Sequence, residues 1–325
     1  MQLKKALITG FRVVVVCMLF VVCMAIGVSL SGLTRVRPQA QPARQNAQTS
    51  SQTAPAGPVS SPSAPETPPA PANSFLPLLV FCLSVGIVLS YLILRSAWHG
   101  WVLAGAMFVG IYGIMTVVTQ IESAAFLSGK LGPGMLRAIF LQGAIGAALF
   151  APLAVVVLGK WRTGTAAEES SEPARRGAAS AAWRIVLLVI AFVFLYMFFG
   201  YFVAWRNPEL RAYYGGRDWP SFFAALKGNW EVARWIYPLA CLRALLYIAF
   251  VYPLIRMLRA AHWESALAAA AFLACWTTGL LLPNSLMPAS VARSHFWETL
   301  SFSLIFGALL GWLISPPLKS RNPKT

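Results

Sequence analysis

Charge is scarce in this chain. Only 11% of its 325 residues are Asp, Glu, Lys or Arg, against 58% hydrophobic residues. A soluble domain with so few charges would expose large apolar patches to water, so a soluble globular enzyme is excluded. Carboxylates are scarcer still, ten against 26 Lys and Arg. Any buried base therefore has few partners to choose from. Five cysteines, Cys17, Cys23, Cys82, Cys241 and Cys275, fall inside apolar runs, form no C-x-x-C pair and are odd in number. Neither a disulfide framework nor a zinc site is implied, and they read as small packing residues. No glycine-rich cofactor fingerprint and no complete catalytic signature occurs.

What is present is a series of apolar runs. A hydrocarbon core of about 30 Å needs roughly 20 apolar residues of helix, and runs of that size cover about 11–31, 75–94, 100–121, 137–158, 184–204, 236–255, 265–284 and 298–315. The expected fold is all-α: a polytopic integral membrane protein of about eight transmembrane helices. Trp98, Trp101, Trp161, Trp183, Trp205, Trp235, Trp263, Trp297 and Trp312 mark the run ends, as an aromatic belt at the headgroup level does. The net charge of +16 follows the same plan. Its basic residues flank the runs and form no single stripe, so no nucleic-acid partner is expected.

Residues 1–34 read as an uncleaved signal anchor, with Lys4, Lys5 and Arg12 ahead of an apolar stretch too long for a signal peptide. Residues 35–74 are rich in Pro, Ala, Ser and Gln and read as a disordered tether. Residues 75–318 then form a seven-helix membrane domain, and 319–325 a basic tail. Short loops carrying Arg95, Lys160, Arg162 and Arg256 share a side with the N-terminus. That places both termini in the cytoplasm of a bacterial-type inner membrane. A faint parallel repeat, 95–122 against 259–286, is mostly alanine.

Charged residues inside or at the rim of a span are costly and need a partner or a task. Arg243 lies eight residues beyond Trp235, about 12 Å down the sixth helix. Glu122 and Glu298, at the outer ends of spans 3 and 8, are its expected partners. Span 3 carries Tyr112, Thr116, Thr119, Gln120 and Ser123 at helical spacing, a polar stripe that faces the bundle interior. His295 and Glu298 stand three apart and share a helix face. With Glu122 they are the candidates for acid–base catalysis or for a divalent metal, the one cofactor the residues suggest. His99 and His262 fall on the opposite side.

The loop after span 5 is the richest in polar and aromatic residues. Asn207 before Pro208 reads as a helix cap, and Gly215-Gly216 as that helix's end. A second helix after Asp218, with Trp219, Phe222, Phe223 and Leu226 on one face, is expected to lie in the outer membrane interface. Arg206 and Arg211, with Gln120, Arg243 and Asn284, are the candidate contacts for an anionic lipid or small-molecule ligand.

Three functional readings fit these residues. A transporter or permease handling a small or lipid-linked anionic ligand accounts for the polar stripe, for Arg243, and for prolines at 152, 238, 253 and 283 that kink helices. A membrane-embedded, hydrolase-like enzyme accounts for polar residues gathering at one end. The motifs of CAAX-type and rhomboid intramembrane proteases are both absent. A non-catalytic scaffold or sensor accounts for the tether.

Overall fold

A computed structural model describes residues 2–35, 75–127, 131–162, 178–258, 260–283 and 287–315. Most of the expected tether, the basic tail and Asn284 lie outside these residues. The described residues are helical throughout, with one isolated bridge between Ser96 and Leu258. The helices are α1 Gln2–Ser31, α2 Phe75–Arg95, α3 Gly100–Ile111, α4 Thr119–Leu127, α5 Met135–Val157, α6 Ala178–Phe202, α7 Pro208–Tyr214, α8 Phe222–Val232, α9 Ile236–Met257, α10 His262–Cys275 and α11 Ala289–Ile314.

Among the described residues, eight helices are long and apolar enough to cross a membrane: Lys4–Ser31, Phe75–Arg95, Gly100–Leu127, Met135–Val157, Ser180–Arg206, Ile236–Met257, His262–Leu281 and Ala289–Ile314. Within Gly100–Leu127, a π-helical stretch Tyr112–Val118 joins α3 to α4. The last helix begins at Ala289, nine residues before the expected start at 298. Nothing in 289–297 breaks a helix, and only Pro288 blocks its extension backwards. His295 and Glu298 therefore stand on the second and third turns of α11, not at its tip.

Patterning alone sets α1 apart behind its tether. In the structure it packs on α5 and α2, with Val16, Phe20 and Cys23 buried. Phe20 meets Phe150 edge-on at 5.4 Å and Phe81 at 5.8 Å. Arg12 lies beside Gly159 at the far end of α5.

α10 and α11 pack closely through small residues. A Cβ placed on Gly307 would fall 2.6 Å from the Ala270 Cα, and one on Gly311 would strike the Ser265 carbonyl. Without a hydrophobic drive between helices in lipid, small-xxx-small faces let backbones approach and gain dispersion energy. This seam aligns α11, and with it His295 and Glu298, beside α10. The outward faces of α1, α2 and α6 keep large side chains such as Phe11, Leu76 and Phe194 exposed, as lipid-facing surfaces do.

Between α6 and α9 the chain forms two short helices across one end of the bundle. Asn207 caps α7, its side chain accepting from the Glu209 N–H at 2.9 Å, with Pro208 in the first turn. Gly215 ends the helix in the left-handed region at φ 68°. Ser221 caps α8 in the same manner, accepting from the Ala224 N–H. The expected shared face of α8 divides: Phe222 and Leu226 turn into the bundle, whereas Phe223 is 78% exposed.

Candidate functional site

Beneath α7 and α8 lies a partly enclosed cavity of about 490 Å³, bounded by α4, α6, α9, α11 and the segment after α10. Its walls are chiefly apolar and rich in aromatic rings, including Phe192, Trp219, Phe222, Trp276 and Phe302. Apolar walls with a few convergent polar groups are the usual build of a small-ligand site.

Arg243 supplies the first polar group. It is 6% exposed, and its Nη2 meets Glu122 Oε2 at 2.7 Å. Removing two charges from water costs several kcal/mol each, and mutual attraction repays this only in good geometry. Here the pairing is supported on both sides. The Tyr196 hydroxyl donates to the other Glu122 oxygen at 3.1 Å, and the guanidinium carbon stands 5.2 Å from the Tyr196 ring centre and 6.0 Å from that of Phe192. Nε and Nη1 are wholly covered and lack hydrogen-bond partners among the described residues. Those donors lie against ring faces, which attract cations.

The second polar group is a row of three side chains. Glu298 Oε2 is 2.7 Å from His295 Nδ1, and His295 Nε2 is 3.0 Å from the Tyr214 hydroxyl. With a neutral ring, Nδ1–H donates to Glu298 and the Tyr214 hydroxyl donates to Nε2. Burial first, then the charge of Glu122, pushes the Tyr214 phenol well above its ordinary range, so it stays a donor. The row ties α7 to α11. Asn207 ties them again, its Nδ2 donating to the Ser294 hydroxyl at 2.9 Å and the Ser290 carbonyl at 3.2 Å.

The expected site residues fall into two groups. Glu122, Arg243, His295 and Glu298 all line the cavity. Gln120, Arg206 and Arg211 do not. Arg206 stacks over the Tyr201 ring at 4.8 Å. Arg211 pairs with Asp218 at 3.2 Å and donates to the Trp205 carbonyl at 2.6 Å. The polar stripe of span 3 also divides. A π turn takes more residues than an α turn, so the stretch Tyr112–Val118 shifts the register of α4. Thr119 and Ser123 reach the cavity. Thr116 is buried against Gly143, Tyr112 stacks on Phe108 at 5.6 Å, and Gln120 turns away.

Glu122, His295 and Glu298 share the cavity without forming a ligand set. Each carboxylate is committed to a different partner, and among the described residues no three His, Cys, Asp or Glu side chains are grouped to hold a metal ion. Tyr196, Tyr214 and Tyr247 also line the cavity, and spacing did not single them out. On an apolar helix a tyrosine reads as belt or core, and Tyr214 alone stood in a stretch already marked as rich.

Compared with protein-family models, curated proteins and solved structures, the chain matches none.

Proposed function

We propose that this chain is a transporter- or permease-like membrane protein that takes an amphipathic ligand, free or lipid-linked, into the cavity under α7 and α8. One observation carries the reading: a largely apolar, aromatic-rich cavity of about 490 Å³ inside a bundle of apolar helices, with its polar groups gathered on facing helices. A cavity of this volume holds a chain or small headgroup, and its walls suit hydrocarbon. Entry from the outer end requires the covering helices to give way. They are short, and α7 is tied to α11 by hydrogen bonds through Asn207, Tyr214 and the Ser290–Glu209 pair.

An anionic ligand finds less support than basic residues in the sequence suggest. The arginine that lines the cavity is already paired with Glu122, and Arg211 with Asp218.

The test is transbilayer movement of fluorescent-tailed phospholipids in proteoliposomes, read by a membrane-impermeant quencher. The expected result is protein-dependent acceleration that Gly200→Trp, which fills the cavity wall, abolishes. Phe223→Ala, an exposed position on α8, leaves it intact. No acceleration for any headgroup would refute transport.

One observation favours a second reading. The Glu298–His295–Tyr214 row is a carboxylate–imidazole–hydroxyl series of the type that moves protons in acid–base catalysis. In a membrane-embedded hydrolase, His295 would take the proton and Glu298 would orient the ring. Turnover of a lipid ester that His295→Ala and Glu298→Gln both remove would favour this reading over transport.

A further inference from the structure

The cavity carries no surplus positive charge. Of its lining residues, four carry charge or can gain it near neutrality: Glu122, Arg243, His295 and Glu298. Arg243 and Glu122 cancel. Glu298 then leaves the sum at −1 with a neutral His295, and at zero with a charged one. In neither state is it positive, although the whole chain carries +16.

The two halves of this sum are also unequally accessible. The unpaired nitrogens of Arg243 are sealed from the cavity. Glu298, by contrast, uses only Oε2 toward His295. Among the described residues no hydrogen bond reaches its Oε1, which is also not among the fully covered polar atoms. Oε1 faces Gly200 of α6, where even an added Cβ would stand 3.6 Å away, in ordinary contact. The glycine puts no side chain over this carboxylate oxygen, where a Cβ would already touch it.

A carboxylate oxygen in an apolar cavity is costly unless a cation or donor meets it. Aromatic rings line the same cavity, and ring faces attract cations, quaternary ammonium groups among them. We infer that the cavity selects amphiphiles with a cationic head, an amine or quaternary ammonium, with Glu298 as counter-ion and Gly200 leaving its Oε1 uncovered on the α6 side. This inference rests on the proposed ligand-binding role of the cavity and adds the sign of the headgroup. It replaces the anionic ligand that the arginines suggest, because Arg243 and Arg211 are spent on Glu122 and Asp218, and Arg206 lies over the Tyr201 ring outside the cavity lining.

The test is competition on the purified full-length protein in nanodiscs of neutral lipid. A neutral, brominated-chain monoacylglycerol serves as probe, quenching the tryptophans that line the cavity. Unbrominated amphiphiles of one chain length, bearing trimethylammonium, hydroxyl or sulfate heads, then compete with it. The trimethylammonium amphiphile is expected to displace the probe at least about tenfold more effectively than the sulfate, the equivalent of about 1.4 kcal/mol. Glu298→Gln, which keeps an acceptor for His295, should erase that preference while the neutral probe still binds. Gly200→Leu keeps the charge but lays a side chain over Oε1, so it should weaken the ammonium head selectively. If sulfate competes as well as or better than ammonium, or if the preference survives Glu298→Gln, the inference is overturned and the cavity stands as a binding site. If the neutral probe gives no saturable quenching in the parent protein, the cavity reading fails and the inference with it.

Discussion

Arg243 of α9 and Glu122 of α4 meet at 2.7 Å inside the bundle. The two residues are far apart in sequence and set two helices against each other through one charged contact. Removing Glu122 leaves the buried Arg243 uncompensated, which costs about 3–5 kcal/mol, whereas the Glu122 side chain is 33% exposed and tolerates the loss of Arg243 better. Glu122→Gln should lower the thermal midpoint in detergent strongly, and Arg243→Met less. The double variant should recover a large part of the loss. Equal and additive losses would show that the pair is not coupled.

The α10–α11 seam makes a sharper steric prediction. Gly307→Val should destabilise by about 1–3 kcal/mol or more, because the backbone of Ala270 cannot move aside. Gly105, in α3, has nothing within 4 Å of an added Cβ. There Gly→Ala should be neutral, or stabilise by up to about 1 kcal/mol through helix propensity. Thermal unfolding of the two variants side by side measures the contrast.

Asn207 both caps α7 and bonds to α11 through Ser290 and Ser294. Asn207→Ala should cost about 1–2 kcal/mol locally. The readout is hydrogen–deuterium exchange, expected to rise over 208–214 and to stay unchanged in α5. Unaltered exchange over 208–214 would mean that α7 is held by its apolar contacts alone.

Tyr214 gives a pH dependence. Its folded phenol is pushed well above the ordinary value by burial, then by the charges of Glu122, Tyr213 and Glu298. The folded state therefore favours the protonated form. The stability this contributes is fully present below about pH 10, the unfolded phenol value, and is lost as pH rises beyond it. The thermal-midpoint advantage of the parent over Tyr214→Phe should shrink above that pH. An advantage that stays constant through the alkaline range would contradict the buried, hydrogen-bonded phenol.

Much of this was legible in the residues. The apolar runs define the eight long helices because a span must satisfy its own backbone and offer hydrocarbon on its surface. Arg243 stood out because a base at that depth needs an acid, and with ten acids in the chain only Glu122 and Glu298 were in reach. Choosing between them required packing, since both sit at the same end. Gln120 fell outside the cavity because the π turn before it, which no residue pattern announces, rotates the helix. Arg206 and Arg211 looked available because their partners, the rings of Tyr201 and Phe202 and the carboxylate of Asp218, are contacts made only on folding. The opposition of Gly200 to Glu298 depends on the docking of α6 against α11 and has no local signal.

Uptake of an amphiphile into the cavity underlies every functional reading above, and photocrosslinking reads it out at the residues concerned. A neutral monoacylglycerol with a diazirine in its chain is incubated with the protein in nanodiscs, irradiated, and mapped by peptide fragmentation along α6. On that helix Phe192 and Tyr196 line the cavity, while Ile190 and Phe194 are exposed on the outer face. The expected result is label on Phe192 or Tyr196 that excess unlabelled amphiphile removes, over an unsaturable background on Ile190 and Phe194. Label confined to Ile190 and Phe194 and indifferent to competitor would refute uptake.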